Sequence, residues 1–331
     1  MRRIGFIGMV ALAGCCAVAA AATVASSGSG RVSRQGWVAA GLHGLLIHSL
    51  LVPSWNRSEV IAGTESGVYR LKGGAWRRIL SAGEVWAVAG SKRPALVVAG
   101  NQDGAVFVSR DGGARWSKRV LPTASVYAVS VDPQNPRRIL AGGVGAIFLS
   151  TDGGASWTRS LRLGNNACDA IVWTGSNTLA AAIVSGLSKP LPSTVYVSGD
   201  GGATWKPTGS GLPAAGVMSV LPSNRGLLAG TMGKAVWRLA PPQTTQWVRT
   251  SPEMPRHDDH GAALLSTKGG RIYVGTLGYG VWVSIDQGRH WMADSGGLSK
   301  ADGSSIVLSL ATNGRTLFAG TAAGVYELAA G

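Results

Sequence analysis

The chain of 331 residues carries 31 Lys and Arg against 16 Asp and Glu, which gives a formal net charge of +15. With 45% hydrophobic and 14% charged residues, it can bury a core, and this excludes a disordered chain. Glycine (49 residues) and tryptophan (12) are enriched together, and the glycines follow no three-residue period, which excludes a collagen-like sequence.

The N-terminus resembles an export signal. Met1-Arg2-Arg3 is followed by an uncharged apolar stretch that ends at Ala25, which is also long enough for an uncleaved membrane anchor. The run Leu12-Ala13-Gly14-Cys15 matches a bacterial lipoprotein signal and makes Cys15 a lipidation candidate. Lipidation, cleavage among residues 20–25 and a retained anchor all stay open. Each predicts a chain outside the cytoplasm, secreted or attached to the outer side of the cytoplasmic membrane.

The rest of the chain divides into a tether and one domain. Residues 26–33 are rich in Ser and Gly and predict a flexible tether, and residues 34–331 predict a single domain. Only Cys168 lies in that domain, because Cys15 and Cys16 belong to the apolar stretch. We therefore expect no intramolecular disulfide, no cysteine-based zinc site and no cofactor.

One motif, Ser-x-Asp-x-Gly-x-x-Trp, occurs four times, each time after an alternating apolar strand. Its defining residues are Ser109, Asp111, Gly113 and Trp116; Ser150, Asp152, Gly154 and Trp157; Ser198, Asp200, Gly202 and Trp205; and Ser284, Asp286, Gly288 and Trp291. The intervals between the Asp residues are 41, 48 and 86, and the last is twice 43. This spacing predicts one degenerate copy in the final gap.

Two further patterns repeat at the same period. Tryptophans recur seven times at intervals of 39 to 48 residues, at Trp37, Trp76, Trp116, Trp157, Trp205, Trp247 and Trp291. Segments like Ala-Gly-Thr-x-x-Gly-Val-Tyr also recur seven times and predict strand, glycine turn, strand. With a further alternating run before each segment, the unit is four strands in about 42 residues, as in propeller blades.

The sequence therefore predicts an all-β fold, a seven-bladed β-propeller with four-stranded blades. The first tryptophan has no inner strands before it, and the last unit has three strands without a fourth. We expect the segment from Gln35 to Leu42 to supply the outer strand of the last blade and so to close the ring.

In these motifs the chain resembles the Asp-box, or BNR-repeat, propellers, and most of all the photosystem II stability and assembly factor group. It resembles sialidase and sortilin propellers more distantly. The resemblance implies that each box is the turn between the third and fourth strands, with Asp accepting backbone N–H bonds and Trp packing between sheets. The sialidase Phe/Tyr-Arg-Ile-Pro segment is matched only by Tyr69-Arg70-Leu71-Lys72, which lacks the proline. We therefore predict structural boxes and no catalytic residue.

Candidate ligand residues lie on the face of the propeller opposite to the boxes, called here the loop face. It carries the loops from an outer strand to the next inner strand and the hairpins between second and third strands. The candidates are Glu65, Asp103, Lys189, Lys234, His257, Asp258, Asp259, His260 and Tyr279. The His-Asp-Asp-His run has metal-ligating side chains. No helix fixes their geometry, so we expect a solvated polar loop and no metal.

Basic residues concentrate in the outer strands of the early blades, at Arg77, Arg78, Lys118, Arg119, Arg159 and Arg162. They predict a rim that docks on a protein or an anionic envelope polymer, or else charges that prevent aggregation between strand edges. Nucleic acid is not expected as a partner, because the chain has an export signal and no aromatic-basic recognition motif. We expect a monomer.

These patterns favour an exported or membrane-anchored non-catalytic propeller that serves as a protein-binding scaffold or binds an envelope polymer. The alternative is a glycan-active hydrolase, sialidase-like, or a lectin that uses the loop face. A third hypothesis is a sensory module that presents a ligand site near a retained anchor.

Overall fold

A computed structural model describes residues 36–92, 95–184, 194–213, 216–234, 236–239, 246–251, 254 and 261–329. The predicted export signal, Cys15 and the tether lie outside these residues. Strands and turns make up the described part, and no helix in it is long and apolar enough to cross a membrane.

The first strand, β1 (Val38–Gly41), belongs to the last sheet. Two four-stranded antiparallel sheets follow it, and consecutive strands pair within each. The first contains β2 (Ile47–Leu51), β3 (Val60–Thr64), β4 (Gly67–Lys72) and β5 (Ala75–Leu80). The second contains β6 (Val85–Ser91), β7 (Leu96–Asn101), β8 (Ala105–Ser109) and β9 (Ser117–Val120).

The third sheet is antiparallel and has six strands in chain order. It contains β10 (Val126–Val131), β11 (Ile139–Ser150), β12 (Thr158–Trp173), β13 (Leu179–Val184), β14 (Thr194–Ser198) and β15 (Lys206–Thr208).

Three more four-stranded sheets complete the structure. One contains β16 (Val217–Ser223), β17 (Gly226–Thr231), β18 (Val236–Leu239) and β19 (Trp247–Arg249). The next contains β20 (Gly261–Ser266), β21 (Ile272–Thr276), β22 (Val281–Ser284) and β23 (Met292–Ala293). The last has β24 (Val307–Thr312), β25 (Thr316–Thr321), β26 (Gly324–Ala329) and β1, in the order β1-β26-β25-β24.

The described residues thus form a β-propeller with six blades, and the predicted number of seven is wrong. Two of the predicted units share the six-stranded sheet, because β11 and β12 continue through the positions where turns were expected. A pair between Val144 and Ala167 joins their ladders. Both the second and the third Asp box lie in this sheet.

The first and last described strands meet in one sheet, which is the closure that the sequence predicted. β1 pairs antiparallel with β26, and Val38 lies opposite Glu327. Trp37 is 3% exposed, and its indole Nε1 donates to the carbonyl of Asp294 at 2.7 Å. The N-terminal segment therefore fills the outer edge of the last sheet and contacts the sheet before it.

Seven strands pack side by side in a closed ring around the axis, namely β2, β6, β10, β12, β16, β20 and β24. The sheets approach closely where the Ala-Gly segments of β3, β7, β21 and β25 face the next inner strand. A Cβ on Gly100 would lie 2.5 Å from Val126 Cγ1, and one on Gly275 would lie 2.5 Å from Val307 Cγ1. These in-strand glycines do not have positive φ and serve close packing, whereas the second glycine of each segment, such as Gly67 or Gly324, takes positive φ in the predicted turn.

Candidate functional site

Every strand of the axial ring has a β-bulge near its start. The pairing register of each strand shifts around one residue, which stands second in the strand or, in β12, between Cys168 and Ala170. The seven bulged residues are His48, Trp86, Tyr127, Asp169, Met218, Ala262 and Leu308. A bulge re-aims its side chain, and here the side chains of consecutive strands meet at one level of the ring.

This level lies at the loop face. The hairpin residue Glu65 donates its amide to the carbonyl of Leu46 at 3.2 Å, one residue before β2. Gln102 donates in the same way to Glu84 at 2.9 Å, one residue before β6. The bulged residues therefore stand just beneath the loops in which we predicted a ligand site.

Five residues form what we call the axial cluster: His48, Glu84, Trp86, Tyr127 and Asp169. The rings of His48 and Trp86 have centroids 4.2 Å apart, and those of Trp86 and Tyr127 are 5.4 Å apart in an edge-on arrangement. His48 Nε2 lies 3.1 Å from Glu84 Oε1. The cluster therefore presents aromatic faces and carboxylates side by side.

Two polar atoms of the axial cluster have no partner among the described residues. They are the indole Nε1 of Trp86, whose side chain is only 8% exposed, and Oδ1 of Asp169. A buried donor or acceptor without a partner costs about 1–3 kcal/mol. The axial cluster therefore holds one buried donor and one buried acceptor that lack a partner among the described residues.

Burial changes the ionisation of the cluster. It raises the pKa of Asp169 to about 7, although the side chain keeps some exposure to the axis. The pKa of Tyr127 is also raised, first by burial; the Ser125 hydroxyl opposes this, and the charges of Asp169 and Glu84 add to it. Near neutral pH, Asp169 can thus accept or donate a proton at the axis.

The remaining bulged residues, Met218, Ala262 and Leu308, are apolar. In ring order they follow Asp169 and precede His48. One arc of the axial opening is therefore aromatic and charged, and the other arc is apolar.

The loop-face residues that the structure describes are dispersed, one to a hairpin. Glu65 is exposed and accepts from the amide of Leu46 at 3.4 Å, and exposed Asp103 accepts from Asn101 Nδ2 at 3.4 Å. Lys234 is exposed, and Lys300 Nζ lies 4.0 Å above the ring of Tyr279. Lys189, His257, Asp258, Asp259 and His260 lie outside the described residues.

The four Asp boxes are turns between neighbouring strands, on the side of each sheet away from the loop face. In the first, Ser109 Oγ donates to Asp111 Oδ1 at 2.7 Å and accepts from the Gly113 amide at 2.8 Å. Asp111 also accepts from the amides of Ala114 and Arg115. The bond from the Arg115 amide is the main reason that the pKa of Asp111 is lowered. The box carboxylates are thus engaged by their own turns and are unsuited to proton transfer.

Two of the box tryptophans connect neighbouring sheets. Trp116 Nε1 donates to the carbonyl of Ile79 at 3.1 Å, and Trp291 Nε1 donates to that of Thr250 at 3.1 Å. Trp76, which has no box, does the same to Ala40 at 2.9 Å. These contacts stabilise the ring and leave function to the axial opening and the outer rim.

Sequence reasoning did not identify the axial cluster, since none of its five residues was among the predicted ligand residues. A positional signal for it exists. Each bulged residue follows a buried residue of an inner strand and precedes a Ser or Ala, as in Val85-Trp86-Ala87 and Ile47-His48-Ser49.

Comparison with known proteins shows the fold. No protein-family model matches the chain, and no curated protein does. A GH74 xyloglucanase from Xanthomonas campestris is 19% identical with a TM-score of 0.69, over 88% of this chain and 53% of that one. The extracellular domain of a candidate one-component system from B. thetaiotaomicron is 13% identical with a TM-score of 0.67, over 89% and 40%. The WD40 propeller domain of Doa1 is 12% identical with a TM-score of 0.69, over 88% and 96%.

The chain thus spans about half of the xyloglucanase and less of the one-component protein. At these identities the likeness establishes a propeller, a fold that serves a hydrolase, an extracellular domain and a WD40 domain alike.

Proposed function

We propose that this chain is a non-catalytic binding module whose axial cluster holds a sugar ring of an envelope glycan. The proposal includes export, which the apolar stretch before Ala25 supports, and membership of the Asp-box propellers, which the four boxes support. The observation that carries it is the pair of unpartnered polar atoms, Trp86 Nε1 and Asp169 Oδ1, beside the aromatic rings of the axis.

A sugar suits this arrangement for chemical reasons. Each hydroxyl both donates and accepts, so one ring can accept from Trp86 Nε1 and donate to Asp169 or Glu84. The C–H face of the ring can pack on the aromatic arc or against Met218 and Leu308. Ligand sites of this kind are mainly apolar, with a few fixed polar groups.

The test is affinity electrophoresis or calorimetry with a panel of soluble neutral glycans, xyloglucan included. Trp86→Phe keeps an aromatic ring and removes the indole N–H. A neutral hydrogen bond contributes about 0.5–1.5 kcal/mol, so we expect binding to weaken about two- to twelvefold. Unchanged binding by Trp86→Phe would contradict the proposal, and so would a failure of every glycan to bind the wild type.

Trp173→Phe is the matched control. Trp173 Nε1 also has no partner among the described residues, but the side chain lies at the far end of β12 beside Arg138. This variant should bind as the wild type does. Equal weakening by both substitutions would show that the axial N–H has no specific role.

The raised pKa of Asp169 favours a second candidate function, a glycan-active hydrolase. A carboxylic acid that stays protonated near pH 7 can act as a general acid, with Glu84 as the second carboxylate. Release of reducing ends from a bound glycan, abolished by Asp169→Asn while binding persists, would establish this function in place of the first.

A further inference from the structure

A groove on the outer rim lies between β9 and the turn of the second Asp box. Its volume is about 260 Å³, and its walls come from the end of β9 with the residues that follow, from β11 and from residues 155–159. Val120 stands at this edge and is 67% exposed. The groove is remote from the axis and independent of the axial cluster.

Two arginines line the groove, Arg119 and Arg159. Arg119 is held in place, because its Nε donates to the carbonyl of Ala155 at 3.1 Å and its Nη1 to that of Lys118 at 3.1 Å. These bonds leave its Nη2 for a ligand. Arg159 is exposed and lies opposite Phe148 in the sheet. Two arginines beside one groove suit a carboxylate, which Arg binds through paired N–H donors.

The nearest acid does not neutralise this charge by pairing with either arginine. Asp152 accepts from the amides of Ala155 and Ser156 through Oδ1, and from the Ser156 hydroxyl through Oδ2 at 2.5 Å. Its pKa is held well below the usual range, chiefly by the bonds from Ser156. The carboxylate is therefore committed to its own turn.

The floor of the groove is apolar and rigid. Phe148 and Leu121 are 2% and 4% exposed, and the half-buried indole of Trp157 is fixed by a bond from its Nε1 to the carbonyl of Gly154. The volume falls below the roughly 300–1,000 Å³ of sites for drug-sized ligands. It suits one ring with a flat apolar face.

We propose that this groove binds a uronic acid residue of an anionic polysaccharide, with the carboxylate on Arg159 and Arg119 and the ring against the half-buried indole of Trp157. A neutral sugar lacks the charge for the arginines. An acidic peptide carries its carboxylates on flexible chains that do not cover the aromatic floor.

The experiment measures binding of polygalacturonate, oligogalacturonate, a neutral galactan and poly-glutamate to the whole protein in about 0.15 M salt. We expect polygalacturonate and oligogalacturonate to bind, and Arg159→Ala to weaken both at least tenfold. Arg78→Ala is the matched control, because Arg78 stands two residues after Trp76 as Arg159 stands two residues after Trp157. It should change binding less than twofold. Both variants should keep the thermal midpoint of the wild type.

Three results would overturn the proposal: no binding of either uronate ligand, equal binding of poly-glutamate, or equal loss with Arg78→Ala. The last would indicate attraction to the basic rim as a whole. Axial variants such as Trp86→Phe should leave uronate binding intact, so this test is separate from that of the axial site.

Discussion

Close contact between sheets predicts that Gly100→Ala destabilises the propeller. An added Cβ would lie 2.5 Å from Val126 Cγ1, 3.0 Å from Val126 Cβ and 3.1 Å from the carbonyl oxygen of Val126. The backbone of Gly100 does not need positive φ, so alanine suffers no conformational strain there. The whole cost is overpacking, which typically amounts to about 1–3 kcal/mol in a rigid core.

For a domain of about 300 residues, that cost corresponds to a thermal midpoint lower by about 1–5 °C. Differential scanning calorimetry of the wild type and the variant would measure it. The control is Gly199→Ala, where an added Cβ meets nothing within 4 Å and φ is not positive. That variant should be neutral or more stable by up to about 1 kcal/mol.

A double variant tests the cause. Val126→Ala removes the methyl group nearest to the new Cβ, so Gly100→Ala should cost less in that background than in the wild type. If Gly100→Ala is as stable as Gly199→Ala, or if its cost is the same with Val126→Ala, the close packing of sheets at this glycine is not what limits substitution.

Three further predictions concern closure, the boxes and the thiol. Trp37→Ala should lower the free energy of unfolding by about 3–5 kcal/mol, measured in urea, because it empties a buried indole site at the closing strand; a loss under 1 kcal/mol would show that closure does not depend on Trp37. Asp200 has a pKa lowered to about 2, chiefly by the Thr204 hydroxyl, so its stabilisation is present above about pH 4 and lost as the pH falls towards 2. Asp200→Ala should therefore lower the thermal midpoint at pH 6, and a gap that persists at pH 2 would disprove this linkage. Cys168 is buried and its pKa is raised by burial, so the native protein should not react with a thiol reagent and the urea-unfolded chain should react fully; rapid native reaction would show that the strand opens.

The repeat pattern predicted the four-stranded units and the closure of the ring by the N-terminal strand, because both follow from residues with strict local requirements. A box needs Ser and Asp to bond its own amides, and an outer tryptophan must reach the preceding sheet. Such requirements recur at every turn and are visible as motifs. The fourth box shows that the requirement for glycine is not absolute, since Gln287 takes the positive φ that glycine takes at this position in the other boxes.

The number of blades was wrong because sheet continuity depends on backbone pairing and not on motifs. Val144 and Ala167 belong to different repeats, and their side chains give no sign that their backbones pair in one sheet. In the Ala-Gly segments of β3, β7, β21 and β25 the second glycine forms the predicted turn, whereas the first lies in a strand, where its lack of a side chain admits the next sheet. A sequence does not distinguish these two uses of glycine without the contacts between sheets.

The axial cluster escaped prediction for a related reason. A bulge fixes the direction of a side chain and does not restrict the residue type. His48, Trp86, Tyr127 and Asp169 therefore occupy equivalent positions in their strands but differ in chemical character. Motif reasoning looks for recurring residue types and passes over such positions. Only the neighbours of the bulge, a buried residue before it and a Ser or Ala after it, repeat.

Neighbouring residues of each inner strand thus have different roles, and this affects which substitutions the protein can tolerate. The residue before the bulge packs between two sheets. Among the bulged residues, His48, Trp86 and Tyr127 pack on one another, whereas Met218, Ala262 and Leu308 are only partly buried. We therefore expect substitutions at these last three positions to affect folding less than substitutions in the axial cluster. The packing of the inner strands stays constant while the residues that face the axis can vary. Redesign of the binding specificity of the axial opening would therefore begin at Met218, Ala262 and Leu308.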